Sequence, residues 1–319
     1  MPVPVILDVD TGVDDALALL VAARHPELRL LGVSCVAGNA ALDQVVENTL
    51  RVLAAAGRDD VPVAAGAARP LIEQPRSAAQ VHGADGLGGI VLPASARRPE
   101  ADDAVSFLHR TILASPEPVT LVALAPQTNL ALLLRTHPDV VPHLARIVFM
   151  GGSASVGNAT AVAEFNVWHD PEAAAIVLDS GVPAYMYGLD VFNVVSVPQE
   201  LAARLETGDD ALGRIVGALL GNRIALSADE HAEYTGLIGD AGAVCALVDP
   251  EALGTRRLPV RVELAGYARG QTLVDLRRVP GEDMLHGVAV EWETVEVALE
   301  VDAPRLAGVF LETLGLPSS

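Results

Sequence analysis

Short unbroken apolar runs alternate with stretches of helical length over the first two thirds of the chain. Val3 to Leu7 reads as a strand buried on both faces, and Ala16 to Ala23 as an apolar helix. Leu28 to Ala37, Val61 to Ala64, Val119 to Ala125, Arg146 to Met150 and Pro183 to Tyr187 repeat the strand pattern. Helices are predicted between them, over Leu42 to Ala56, over Ala101 to Leu113, and after the opening signals Pro126-Gln127-Thr128-Asn129 and Asp170-Pro171-Glu172. Residues 66–100, rich in Pro, Gly and Arg, read as an irregular excursion.

The last third changes character. Asp210 to Leu226 and Gly242 to Val248 are predicted helices, separated by the polar, mobile-looking stretch Ser227 to Gly239. Val260 to Leu264, Gln271 to Leu276 and Val288 to Val301 are β-rich and read as antiparallel additions, and Ala303 to Thr313 closes as a helix. The pattern predicts an α/β fold: an open, mostly parallel, Rossmann-like sheet flanked by helices, with antiparallel strands added near the C-terminus. No linker or repeat interrupts it, so residues 1–319 are expected to form a single domain.

The junction of the first strand and first helix carries four aspartates, Asp8, Asp10, Asp14 and Asp15. Asp8 and Asp10 share a face of an extended chain, and Gly12 is expected to allow a tight turn. Asp14 and Asp15 fall in the first helical turn, where the dipole favours carboxylates. One such Asp is an ordinary cap. Four within a few residues repel one another, and a hard divalent cation, Ca²⁺ or Mg²⁺, relieves that repulsion. Open α/β sheets place ligands at such strand ends.

Composition narrows the field. The formal charge of −20 disfavours nucleic acid and anionic membranes as partners. All 21 strong bases are arginine, which excludes Schiff-base chemistry and a P-loop lysine. Cys35 and Cys245 sit in apolar segments and read as core residues of a reduced, cytoplasmic protein. No signal peptide or membrane span is expected.

Other polar groups recur at predicted strand ends: Asn39, Thr128-Asn129 and Asp190. Asn158, Glu164 and Asn166 lie in one amide-rich loop, and that set suits the hydroxyls of a sugar. Asp240, at the start of a helix, reads as an N-cap on its own, or as the far wall of a metal cage together with the opening cluster.

These motifs resemble the inosine–uridine-preferring nucleoside hydrolase family. The likeness rests on Asp8 to Asp15, Ala37-Gly38-Asn39, His82-Gly83-Ala84-Asp85-Gly86, Pro126 to Asn129, Met150-Gly151-Gly152, and Gly157-Asn158 through Glu164-Phe165-Asn166. The resemblance implies a Ca²⁺-dependent hydrolase of ribonucleosides, working as a homodimer or homotetramer. By position, Asp10, Asp15, the Thr128 carbonyl and Asp240 would hold calcium. Asp10 would act as general base on a calcium-bound water. Asp14, Asn39, Asn158, Glu164 and Asn166 would bind ribose.

One position departs from the family pattern. Many members carry a His before the last metal Asp, and that His protonates the leaving base; this chain has Gly239. The replacement acid is expected among His82, His231 and Tyr234, and Trp168 is a candidate for stacking on the base. Two alternatives follow from the same residues. One is a nucleoside- or sugar-binding protein that lost its acid. The other is a haloacid dehalogenase-type phosphatase using Asp8 and Asp10, which the missing lysine argues against.

Overall fold

Residues 1–227, 236–279 and 292–317 are described by a computed structural model. β1 (Val3–Val9) alternates between two cores: Val5, Leu7 and Val9 pack on one face of the sheet and Ile6 on the other. β2 (Leu28–Cys35) and β3 (Val63–Ala65) lie to one side of it. β4 (Val119–Ala123), β5 (Leu144–Met150) and β6 (Ala184–Tyr187) lie to the other, and all six run parallel. The order β3-β2-β1-β4-β5-β6 is doubly wound, with its ligand crevice where β1 and β4 send their connections to opposite faces.

β7 (Leu253–Val262), β8 (Thr272–Val274) and β9 (Glu293–Val301) extend the sheet in the order β9-β7-β8. β7 pairs antiparallel with both β8 and β9, whereas β9 runs parallel to β6. The third of the expected antiparallel runs therefore continues the parallel sheet on one edge. Alternation of apolar residues marks a strand but carries no direction.

α1 (Val13–Arg24) is buried from Val13 to Ala23, and beyond Asp15 that buried stretch is apolar on every face rather than amphipathic. α2 (Leu42–Ala55) packs beside it, and α3 (Ala79–His82) is a single turn within the Pro/Gly-rich excursion. α4 (Ala104–Ala114) begins three residues later than its sequence suggests. The Asp103 carboxylate accepts from the Val105 and Ser106 amides at 2.9 and 3.2 Å and fixes the start.

α5 (Thr128–Thr136), α6 (Phe165–His169) and α7 (Pro171–Leu178) follow; Phe107, Leu130 and Ala173 join the Ile6 core. α8 (Leu189–Phe192), α9 (Gln199–Glu206), α10 (Ala211–Ser227), α11 (Ala241–Val248) and α12 (Ala303–Leu314) supply Val191, Leu201, Leu219, Val244 and Phe310 to the opposite core. α8 and α9 fall in a stretch that the sequence pattern leaves unassigned; α8 is a single turn, and α9 buries Leu201, Ala202 and Leu205 on one face.

Cys35 and Cys245 are fully buried free thiols. Among the described residues no helix is long and apolar enough to cross a membrane. His231 and Tyr234 lie outside the described residues.

Candidate active site

The carboxyl end of β1 brings the aspartates into a dry environment. Asp10 and Asp15 are fully buried, and Asp8 and Asp14 nearly so. Asp15, in the third position of α1, reaches back to accept from the Gly12 amide at 2.9 Å and the Asp10 amide at 3.3 Å. Asn39 bridges the group. Its backbone N–H donates to Asp10 Oδ2 at 2.7 Å, and its Nδ2 donates to Asp10 Oδ1 at 3.0 Å and Asp15 Oδ2 at 3.1 Å.

Burial first, and Asp15 second, push Asp10 well above the carboxylate range. Burial and then Asp14 push Asp15 up to about 7. Carboxylates buried this close together either keep protons or share a cation.

Asp240 arrives from the far end of the chain. It precedes α11 with helical φ and ψ and no side-chain capping hydrogen bond. The cap expectation therefore does not hold for its side chain. Carboxylate oxygens of Asp14, Asp15 and Asp240 lie within 4.8 Å of one another, all buried. Gly239 makes this approach possible. Its φ is +56°, and a Cβ there would sit 2.5 Å from the Asp14 Cβ. Gly12 has a different role from the one expected: its φ is −94°, so no left-handed turn is needed. A Cβ there would stand 2.6 Å from His82 Nδ1 and 2.8 Å from Asn39 Nδ2, so Gly12 supplies space.

Thr128 opens α5, and its hydroxyl donates to Asp170 Oδ2 at 2.6 Å. Asn129 acts as a wedge. Its Nδ2 donates to Asp8 Oδ1 and to the Cys35 carbonyl at 2.8 and 3.0 Å, and its Oδ1 accepts from the Ala67 amide at 2.9 Å. Asp8 also accepts from Ser34 Oγ, and burial raises it to about 7 despite both bonds. Asp190 accepts from the Ala154 amide and the Ser155 hydroxyl, so it braces a loop.

The opposite wall is built on α6. Glu164 caps that helix, accepting from the Asn166 and Val167 amides at 2.8 and 3.1 Å and from Gly152 at 3.0 Å. Burial outweighs those donors and lifts Glu164 to about 7. Asn166 Nδ2 donates to the Leu124 and Met150 carbonyls, tying α6 to the ends of β4 and β5. Asn158 is exposed and accepts from the Phe165 amide at 2.9 Å.

These walls enclose a cleft of about 510 Å³, a volume suited to a small ligand. Asp14, Asn39, Asn158, Glu164, Asn166 and Asp240 all line it, and so do His82 and Trp168. His82 is buried at the end of α3. Its Nδ1 accepts from the Val13 amide at 3.2 Å, so in the neutral ring the proton sits on Nε2. The Nδ1 to Asp14 Oδ1 distance of 3.7 Å is then a contact and not an ion pair.

Trp168 does not offer a bare face: the Arg76 guanidinium covers its ring at 3.9 Å, and Arg76 also donates to the Trp168 carbonyl. Arg76 and Asn193 line the cleft and were missed. Arg76 was legible as a cation in the irregular excursion, but Asn193, in an unassigned stretch, carried no signal.

A carboxylate-walled cleft at the switch point of a doubly wound sheet, with amides opposite, suits a small ligand rich in hydroxyls. The comparisons sharpen this. The description "Inosine-uridine preferring nucleoside hydrolase" matches residues 5–307. The pyrimidine-specific ribonucleoside hydrolase RihA of Citrobacter koseri is 42% identical over 277 residues, 86% of this chain and 89% of that protein. RihA of Salmonella arizonae is 41% identical over the same span.

Among solved structures, the plant nucleoside hydrolase PpNRh1 superposes with a TM-score of 0.90 at 30% identity, covering 99% of this chain and 100% of that one. The purine-preferring ribonucleoside hydrolase from Gardnerella vaginalis gives 0.88 at 29%, covering 98% of each. The chain belongs to the inosine–uridine-preferring nucleoside hydrolase family and is an enzyme of the N-glycosyl hydrolase class. The phosphatase and binding-protein alternatives give way to this.

Proposed function

We propose that the enzyme hydrolyses the N-glycosidic bond of ribonucleosides in this cleft, with pyrimidine ribonucleosides preferred and Ca²⁺ as cofactor. The observation that carries the reading is the buried meeting of Asp14, Asp15 and Asp240, which suits a hard cation with oxygen ligands. Asp10, Asp15, Asp240 and the Thr128 carbonyl would hold it. When bound, it would supply a Lewis acid that acidifies water and orients the sugar diol.

The chain's own groups do the rest. Asp10, oriented by Asn39, accepts the proton of the attacking water. Asp14, Asn39, Asn158, Glu164 and Asn166 bind the ribose hydroxyls. The surrounding negative charge favours the cationic sugar that forms as the bond to the base breaks. Among the described residues, His82 lines the cleft and is the candidate for protonating the departing base, a step that requires its imidazolium form. The pyrimidine preference follows the RihA relatives, which match this chain at higher identity than the purine-preferring neighbour. The same reading carries a single domain, a cytoplasmic location and a homodimer or homotetramer, the last checked by light scattering.

The test is a panel of pyrimidine and purine ribonucleosides assayed for free ribose. Uridine and cytidine should turn over fastest. Asp10→Ala should lose about 10²- to 10⁴-fold in kcat. Wild-type rates in Asp10→Ala would overturn the assignment.

A further inference from the structure

A second cluster of metal-ligating side chains lies outside the cleft. His109 projects from α4, His137 caps the C-terminus of α5, and Asp139 follows in the 3-10 helix Pro138–His143. His109 Nε2 lies 2.9 Å from Asp139 Oδ2. The rings of His109 and His137 stack with centroids 4.0 Å apart and planes 19° from parallel. One ligand atom from each of the three residues falls within 4.8 Å of the others.

We propose that His109, His137 and Asp139 form a second metal site, which takes a borderline divalent cation of the Zn²⁺, Co²⁺ and Ni²⁺ class. Tetrahedral coordination with bonds near 2.0 to 2.1 Å places ligand atoms about 3.3 Å apart. The His109–Asp139 pair already sits near that spacing and has only to exchange its shared proton for the cation. The lone pair of an imidazole nitrogen lies in its ring plane, so the half-buried His137 ring has to turn out of its stack on His109, as well as close by about 1.5 Å at most, to share a cation with it.

The position favours positive charge a second time, because the C-terminus of α5 presents the negative end of its dipole at His137. With 28% of the His109 side chain and 57% of the Asp139 side chain exposed, a cation can enter from solvent and keep water in the open position.

The donor set sorts metals between the two places. Two imidazoles and one carboxylate are poor partners for Ca²⁺, which takes oxygen ligands, and good ones for Zn²⁺ and its neighbours. The all-oxygen aspartate cluster has the opposite preference. A calcium-loaded enzyme therefore keeps this surface site available. A cation there would clip α4 to the end of α5.

The experiment uses the full-length, calcium-loaded protein titrated with Co²⁺, followed by visible absorption, and then with Zn²⁺. One Co²⁺ per chain should give a saturable tetrahedral absorption band that Zn²⁺ abolishes. His109→Gln with His137→Gln should weaken Co²⁺ binding at least about tenfold, while uridine hydrolysis in calcium alone stays unchanged. His109→Gln and Asp139→Asn as single variants carry the same test if the double variant fails to fold. Absence of a saturable band, or wild-type Co²⁺ affinity in the folded variants, would overturn the proposal.

Discussion

Gly239→Ala tests how tightly the two ends of the site are fitted. The φ of +56° costs an L-residue about 1 to 2 kcal/mol. The new methyl would also meet Asp14, with its Cβ 2.5 Å from the Asp14 Cβ and 3.0 Å from Oδ2. Ordinary carbon contacts lie near 3.5 to 4.0 Å, so Asp14 or the start of α11 has to yield by about 1 Å. Overpacking of this kind adds about 1 to 3 kcal/mol, for a total of about 2 to 5 kcal/mol.

The displaced groups are Asp14 and Asp240 themselves. A misplacement of about 1 Å lowers kcat/KM by about 10²-fold. Urea unfolding gives the first quantity and uridine hydrolysis in saturating calcium the second. Gly239→His suffers the same backbone and contact penalties, so grafting the acid that many family members carry should lower activity rather than raise it. A Gly239→Ala enzyme within about 0.5 kcal/mol of wild type in stability, the usual range for a change that touches nothing important, would refute the reasoning.

Two further outcomes are expected. His82→Gln should lose about 10²-fold in kcat on uridine, yet little on a riboside whose leaving group needs no proton, such as the p-nitrophenyl riboside; equal losses on both would remove His82 from the acid role. Asp8, Asp15 and Glu164 are each held near 7 by burial, above their ordinary values of 3.8, 3.8 and 4.5. A carboxyl raised in the fold keeps a proton that the unfolded chain has released, so the calcium-free enzyme should lose stability as pH climbs from about 4 to about 7 and then level off. Calcium favours the ionised carboxylates and should raise the melting temperature more at about pH 8 than at about pH 5. A melting temperature in EGTA that rises across that window would contradict the assignment.

Much of this enzyme was legible in its sequence because parallel, doubly covered strands leave long apolar runs. Val3 to Leu7, Val119 to Ala125 and Arg146 to Met150 each fell on a strand. The cleft was legible because its polar residues interrupt such runs. Burial could not be read in the same way. Asn129 had the same strand-end placement as Asn39, yet Asn129 wedges β1, β2 and the 66–67 loop, while Asn39 lines the cleft. Gly12 looked like a turn and proved to be a close approach, a distinction that depends on His82, far off in the chain. Trp168 was legible as an aromatic of the cleft, but its cover by Arg76 depends on a loop with no periodic signal.

The lateness of Asp240 in the polypeptide has a consequence for synthesis. Asp14 and Asp15 emerge from the ribosome 225 residues or more ahead of their counterpart (240 − 15 = 225). Until α11 docks on α1, the early aspartates have no third carboxylate beside them. A translation product cut short ahead of residue 240 would have strands enough to begin a sheet but only two of the three clustered carboxylates.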